Sequence, residues 1–219
     1  MADPEPHSRG WYALQARLHG GYVHPWARVL DGPQPETTFT ALLESLLGPA
    51  VRVLEAGCGH GPDAARYAVQ AACWTAYDRQ PELLELAGRN APNAHLTLWD
   101  GRGGIPVGLE GPHDLIVSRR GPTSVIPHLP ALAAPGAQFL YVGPRLDVPQ
   151  VGTRLDAIGW TVLGEWRERV RGWLPTPEDY LLRCEFMNLT PDPSIWQREA
   201  TTRGLPYFEE RYTVLAGAE

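Results

Sequence analysis

The stretch Val51-Arg52-Val53-Leu54-Glu55-Ala56-Gly57-Cys58-Gly59-His60-Gly61-Pro62-Asp63 decides the fold. Residues 51–54 have the apolar, β-branched character of a buried strand, and Pro62 suits the first turn of a helix. The glycines therefore fall between a strand and a helix. Glycine reaches positive φ without penalty and has no Cβ to hold a ligand away from the backbone. A turn of this kind is built for close approach, and it carries a carboxylate, Glu55, two residues ahead of its first glycine.

Working outward, strand-like and helix-like stretches alternate: 51–54, a helix over 62–71, a strand over 74–77, a helix over 81–90, and strands over 95–98 and 115–117. Alternation of this kind predicts a parallel sheet covered by helices. Ahead of it, 8–18 reads as a helix that leads into an aromatic loop at Tyr22-Val23-His24-Pro25-Trp26, outside the central sheet. Residues 36–47 space Phe39, Leu42, Leu43, Leu46 and Leu47 as a helix that stops at Gly48-Pro49. After a proline-interrupted helix over 125–132, Ala134-Pro135-Gly136-Ala137 reads as a turn into a strand over 138–142. A helix over 148–158 and strands over 160–166 and 211–215 complete a count of seven strands. The long piece 167–210 between the last two predicts two helices, 177–187 and 194–203, separated by Thr190-Pro191-Asp192-Pro193.

Two more acids follow predicted strands: Asp78 closes Trp74-Thr75-Ala76-Tyr77, and Asp100 follows Trp99 after His95-Leu96-Thr97-Leu98. The glycine spacing is G-x-G-x-G, unlike the G-x-G-x-x-G of dinucleotide-binding turns. An acid followed by x-G-x-G-x-G, with acids after the next two strands, resembles the class I S-adenosylmethionine (SAM)-dependent methyltransferases, over about 51–142. The stretch Asp114-Leu115-Ile116-Val117-Ser118-Arg119-Arg120-Gly121-Pro122 looks like a subgroup of small bacterial methyltransferases of undefined substrate. The resemblance implies an α/β fold, a seven-stranded doubly wound Rossmann-like sheet with helices on both faces. That sheet is mostly parallel, with an antiparallel last strand inserted between the fifth and sixth. It also implies one domain over 1–219: an N-terminal helical cap 1–49, a cofactor-binding core 51–166, a helical insertion 167–210 and a last strand 211–215.

For the cofactor, S-adenosylmethionine with S-adenosylhomocysteine as product, the resemblance implies backbone contacts from Ala56, Gly57 and Gly59. Cys58 and Gly61 belong to the same turn, and Glu55 is expected near the ammonium group, a carboxylate suiting a cation. Asp78, beside Arg79, is expected to accept the ribose hydroxyls. Asp100 is expected to bind the adenine amino group between Trp99 and Gly101. Ligands in open α/β sheets lie at the carboxyl ends of the strands, so Ser118-Arg119-Arg120-Gly121-Pro122 is expected to face the reactive end, with Ser118 at the cofactor. The Asn/Asp-Pro-Pro-Tyr-like sequence of family members that methylate exocyclic amines is missing there. Ala137 also stands where the family's turn into its fifth strand has a second glycine.

Methyl transfer is an in-line displacement that alignment and desolvation accelerate without an obligatory catalytic side chain. Arg119 or Arg120 has the chemistry to clamp an anionic acceptor bidentately, against the alternative of a structural ion pair. If a base is used, His24 and Tyr22 are the candidates, because the N-terminal segment caps the cofactor's open end in the family. The arginines of Arg167-Glu168-Arg169-Val170-Arg171 would share one face of a strand beside a solvated edge.

Composition narrows the choice. The 219 residues carry a formal net charge of −6, which argues against binding along a phosphate backbone. All 19 basic residues are arginine, so neither a Schiff-base lysine nor a P-loop lysine exists in this chain. Cys58, Cys73 and Cys184 lack metal or disulfide spacing, so no metal site is expected and a reducing cytoplasm fits. No run is long and apolar enough for a membrane span. The reading is a cytoplasmic, monomeric or homodimeric methyltransferase acting on oxygen or nitrogen of a small-molecule acceptor. An RNA or protein acceptor, or a SAM-binding module without turnover, stands as the alternative.

Overall fold

The computed structural model describes residues 4–144 and 150–218. The chain divides into two compact units, one of residues 36–168 and 211–218, the other of 4–35 and 169–210.

The larger unit holds the sheet. In chain order its helices and strands are α2 (Thr37–Leu46), β2 (Arg52–Ala56), α3 (Pro62–Tyr67), β3 (Cys73–Asp78), α4 (Pro81–Asn90), β4 (Ala94–Leu98), β5 (His113–Arg119), α5 (Leu129–Leu132), β6 (Ala133–Gly143) and α6 (Val151–Asp156). β7 (Trp160–Leu174) and β8 (Leu205–Ala218) begin or end in the other unit, which also contains α1 (Arg9–His19), β1 (Val29–Leu30), α7 (Pro177–Phe186) and α8 (Pro193–Glu199). The strand order β7-β8-β6-β5-β2-β3-β4 places β8 between β6 and β7. β2, β3, β4, β5 and β6 pair in parallel, and β8 runs antiparallel to β6. From β2 the chain steps outward through β3 and β4, then returns to β5 on the other side of β2. The order of the sheet reverses there, and α/β folds hold ligands at such a point.

Side-chain alternation sorts the two faces. Leu54, Ala56, Tyr77, Ile116, Phe139 and Tyr141 pack with Ile126, Leu129, Val151 and Leu155 on one side. Val53, Trp74, Leu115, Val117 and Leu140 pack with Phe39 and Leu43 of α2 and with Ala64 and Tyr67 of α3 on the other. A strand buried on both faces needs this near-continuous apolar run.

The smaller unit is organised around Trp11, Trp26, Leu174, Tyr180, Cys184, Phe186 and Leu205. Ser8 caps α1, its hydroxyl accepting from the Trp11 amide at 3.2 Å. Thr176 and Asp179 form a reciprocal capping box on α7, and Asp179 also accepts from the Ala27 amide at 2.7 Å, which ties the two chain segments together.

Several expectations are corrected. The sheet has eight strands among the described residues, because Val29 and Leu30 pair with Trp173 and Gly172 of β7. Two residues carry too little periodicity to be seen in a sequence. β7 extends to Leu174 and β8 starts at Leu205, so the stretch 167–210 is largely strand at both ends and helical only in α7 and α8. The outer part of β7 alternates polar residues, and its exposed face carries Arg167, Arg169 and Arg171, as the spacing predicts. Residues 134–137 are not a turn before a strand: they form an irregularity within β6, whose register to β5 shifts between His113 and Leu115 around Gly136 at φ 72°. The helix expected over 148–158 is α6, and positions 148 and 149 lie outside the described residues. α8 stops at Glu199, where Thr201 and Gly204 close a tight turn.

Candidate active site

The three glycines of the turn after β2 have positive φ, 72° at Gly57, 55° at Gly59 and 77° at Gly61, but they are needed for different reasons. A Cβ on Gly57 would lie 2.2 Å from Pro122 Cδ, and one on Gly121 would lie 2.3 Å from the Ala56 carbonyl oxygen, so this turn and the loop after β5 clasp each other. A Cβ on Gly61 would press on Ala87 of α4 at 3.1 Å. A Cβ on Gly59 would meet nothing within 4 Å. The amides of Gly57 and Cys58 donate to the Tyr77 carbonyl at 2.9 and 3.0 Å, fastening the turn to β3. Burial pushes the Cys58 thiol far above its ordinary range, so it stays a neutral thiol in the wall of the turn.

Asp78 stands at the end of β3, half-buried. Its two carboxylate oxygens accept from the Gly59 and Gln80 amides, both at 2.9 Å, which fixes the carboxylate beside the open glycine. Burial raises its pKa, and those two backbone donors oppose the rise. Arg79 next to it is exposed. Beyond β4, the Trp99 amide donates to the Asp78 carbonyl at 3.0 Å, so the third turn hangs on the second. Trp99 is buried edge-on to Tyr77, with ring centroids 4.8 Å apart, while Asp100 is exposed and accepts from the Arg102 amide at 3.0 Å. Gly101, at φ 73°, lies over Ser124 and the Tyr77 hydroxyl. Ser118, fully buried, donates to the Pro122 carbonyl at 3.4 Å. The structure thus brings Gly57, Gly59, Asp78, Trp99, Asp100 and Gly101 to one edge of the sheet, with Ser118 beneath the loop that closes on them.

Glu55 and Arg119 occupy the face shared with α2 and α3. The carboxyl of Glu55, 3% exposed, accepts from the Trp74 indole at 2.9 Å. Burial, with Asp63 nearby, raises its pKa well above the usual carboxylate range. Arg119 donates from Nε to Asp63 at 2.7 Å and from Nη1 to Glu36 at 3.1 Å, and its guanidinium lies 4.4 Å from the Phe39 ring centroid. Glu36, at the N-cap of α2, also accepts from Arg120 and, at 3.0 Å, from Arg211 of β8. Although burial works against it, these three arginines hold Glu36 ionised with a pKa of about 2. The residues expected to meet a ligand's ammonium and an anionic acceptor are therefore enclosed in a network of the protein's own side chains. Arg120 takes a left-handed backbone, φ 54°, at the start of the clasping loop.

Tyr22 and His24 belong to the aromatic cluster of the smaller unit. His24 lies 4.6 Å from Trp26 and 5.4 Å from Phe186, and Tyr22 lies 6.0 Å from Trp11, between ring centroids.

Three further side chains stand at the carboxyl edge without a motif to mark them as site residues. Arg154 of α6 donates to the hydroxyl and the carbonyl oxygen of Thr123, both at 2.7 Å. Tyr141 of β6 runs its ring along the strand, and a Cβ on Gly143 would lie 2.0 Å from its hydroxyl. An aromatic residue two positions ahead of a strand-end glycine was the one available signal, and no motif marks Arg154 or Thr123.

No protein-family model matches the sequence, and no curated protein does. Among solved structures, a functionally unknown protein from Deinococcus radiodurans R1 is 57% identical, with a TM-score of 0.88 over 95% of this chain and 99% of that one. The two proteins belong to one family. N-methyltransferase NodS from Bradyrhizobium japonicum WM9, in complex with S-adenosyl-L-homocysteine, superposes with a TM-score of 0.56 at 14% identity, over 86% of this chain and 89% of that one. Ribosomal protein L11 methylase from Lactobacillus delbrueckii subsp. bulgaricus gives 0.55 at 15% identity, over 87% and 82%. The family has the class I SAM-dependent methyltransferase fold, a mostly parallel α/β sheet with antiparallel strands at its C-terminal end.

Proposed function

We propose that this member of the family is a methyltransferase that takes its methyl group from S-adenosylmethionine and passes it to oxygen or nitrogen of a small molecule. One observation carries the reading: Gly59 opens onto free space within 4 Å, and Asp78, held by the Gly59 and Gln80 amides, stands beside it. That cradle suits a ligand with an extended polar tail and a ribose. Gly57, Cys58 and Gly59 would lie along the amino-acid end, Asp78 would accept the ribose hydroxyls, and Trp99, Asp100 and Gly101 would line the base. Bound there, the cofactor supplies a methyl group activated by a sulfonium.

The protein's own contribution is positioning and exclusion of water. Pro122 and Gly121 close on Gly57 and Ala56, and Arg119, Arg120 and Glu36 hold that loop from the other face of the sheet. Arg119 is a positioning residue in this reading, its guanidinium shared between Asp63 and Glu36. His24 and Tyr22 remain the proposed source of a base, tested by His24→Ala and Tyr22→Phe once an acceptor is in hand. The net charge of −6 disfavours an RNA acceptor.

The test is calorimetric titration with SAM, S-adenosylhomocysteine and NAD(H), repeated for Asp78→Ala. Saturable binding of both adenosyl ligands, weakened about tenfold or more by Asp78→Ala, is the expected outcome, since a hydrogen bond to a charged group contributes about 1.5–3 kcal/mol. Binding of NAD(H) instead, or of nothing, would overturn the reading.

A further inference from the structure

Arg154 presents a half-buried cation whose two terminal nitrogens go to Thr123, a neutral residue. Among the described residues it enters no ion pair, whereas Arg52, Arg119, Arg120 and Arg211 all hold carboxylates. Taking a guanidinium partly out of water costs free energy that a carboxylate or other anion offsets, and Arg154 has no such partner among the described residues. The bonds to Thr123 fix the guanidinium in one orientation, which spares a ligand the entropy of ordering it.

A second group faces the same place. Ser118 and Tyr141 are register partners across β5 and β6, so Tyr141 stands one strand away from the loop that clasps the glycine turn. Its ring belongs to the face that also packs Val151 and Leu155 of α6, one turn before Arg154 and the residue after it. The missing Cβ at Gly143 lets the phenol reach the carboxyl end of its strand. Burial pushes the phenol up to about 12 while the charges of Arg154 and Arg211 pull against it, so it stays protonated, with an O–H available to donate. Thr123 follows β5 at that edge, and Arg154 lies in α6, which follows β6.

We infer that Arg154 and the Tyr141 hydroxyl form an anion-reading subsite at the carboxyl edge of the sheet, which selects a methyl acceptor bearing a carboxylate or another anionic oxygen. That the ligand is a methyl acceptor rests on the methyltransferase reading; that it is an anion rests on the placement and charge of Arg154 beside Tyr141. Guanidinium and phenol together recognise a planar carboxylate, one by charge and paired N–H donors, the other by a single O–H. Neither Arg119 nor Arg120 is needed for this, because Glu36 and Asp63 already engage them.

The subsite is tested by titrating the full-length protein, with and without S-adenosylhomocysteine, with benzoate and separately with inorganic phosphate. Wild type is compared with Arg154→Gln, Arg154→Lys and Tyr141→Phe. The expected result is saturable benzoate binding, weakened about tenfold or more in Arg154→Gln, partly restored in Arg154→Lys and weakened several-fold in Tyr141→Phe, with S-adenosylhomocysteine affinity unchanged. Phosphate binding with the same pattern of loss would also support the subsite and assign it to phosphorylated acceptors. Binding of neither anion, or binding that all three variants leave alone, would overturn it. Should Arg154→Gln unfold for want of its bonds to Thr123, Tyr141→Phe carries the test. A protein that binds benzoate but no adenosyl ligand would lose the methyltransferase reading and keep the subsite.

Discussion

At the scale of single residues, the glycine turn shows that one motif hides three requirements. The motif is legible because each glycine lies at positive φ, a conformation that costs other L-residues about 1–2 kcal/mol. Which glycine faces a ligand is not legible, because Gly57 is reserved for Pro122, Gly61 for Ala87, and only Gly59 for open space. The two kinds of glycine should therefore separate under substitution. Gly59→Ala is expected to cost about 1–2 kcal/mol in stability yet weaken S-adenosylhomocysteine binding tenfold or more. Gly57→Ala is expected to lower the melting temperature far more, because overpacking against Pro122 adds about 1–3 kcal/mol to the same backbone strain. Thermal denaturation and calorimetry on both variants decide the matter, and equal losses of stability would refute the division. Asp78 was readable as a candidate because an acid at a strand end is a positional signal. Arg154 and Tyr141 were not, because their meaning lies in a neighbour brought by the fold rather than by the chain.

Between elements, Glu36 is the junction. It sits at the N-cap position of α2 and joins Arg119 and Arg120 at the end of β5 to Arg211 of β8, while Arg119 carries the link on to Asp63 of α3. No sequence pattern announces this, since the partners are separated by up to 175 positions. The alternation of elements was readable because both faces of the sheet are buried, which forces apolar runs into the strands. The outer reaches of β7 and β8 were harder to read because their exposed residues are polar. Glu36→Gln removes the charge and leaves three guanidiniums around a neutral amide. Breaking a buried ion pair in this way costs roughly 3–5 kcal/mol. Urea denaturation is expected to show that loss, and the variant should also bind S-adenosylhomocysteine more weakly because the clasping loop is no longer held. A variant as stable as wild type would show the network to be dispensable.

For the molecule as a whole, two buried carboxyls set opposite limits on pH. Glu36 is held down to about 2 against an ordinary value of 4.5, so its contribution is complete above about 4.5 and is lost as the pH falls towards 2. Glu55 is raised instead, so its contribution is complete below its ordinary value and is lost as the pH rises through its folded value. Urea midpoints across this range should fall steeply on the acid side in wild type and flatten there in Glu36→Gln. Glu55→Gln, which mimics the protonated acid, should be relatively more stable than wild type as the pH rises. The order of β8 in the sheet has a consequence for synthesis. β8 is translated after every other strand, yet it lies between β6 and β7. Until it emerges from the ribosome, β6 offers an open edge and β7 has no neighbour to join it to the rest. The Trp11 and Trp26 cluster waits as well, since Phe186 and Leu205 arrive only after the whole parallel core. The nascent chain thus carries an unpaired strand edge and two exposed indoles through most of translation, which makes it a natural client for holding chaperones.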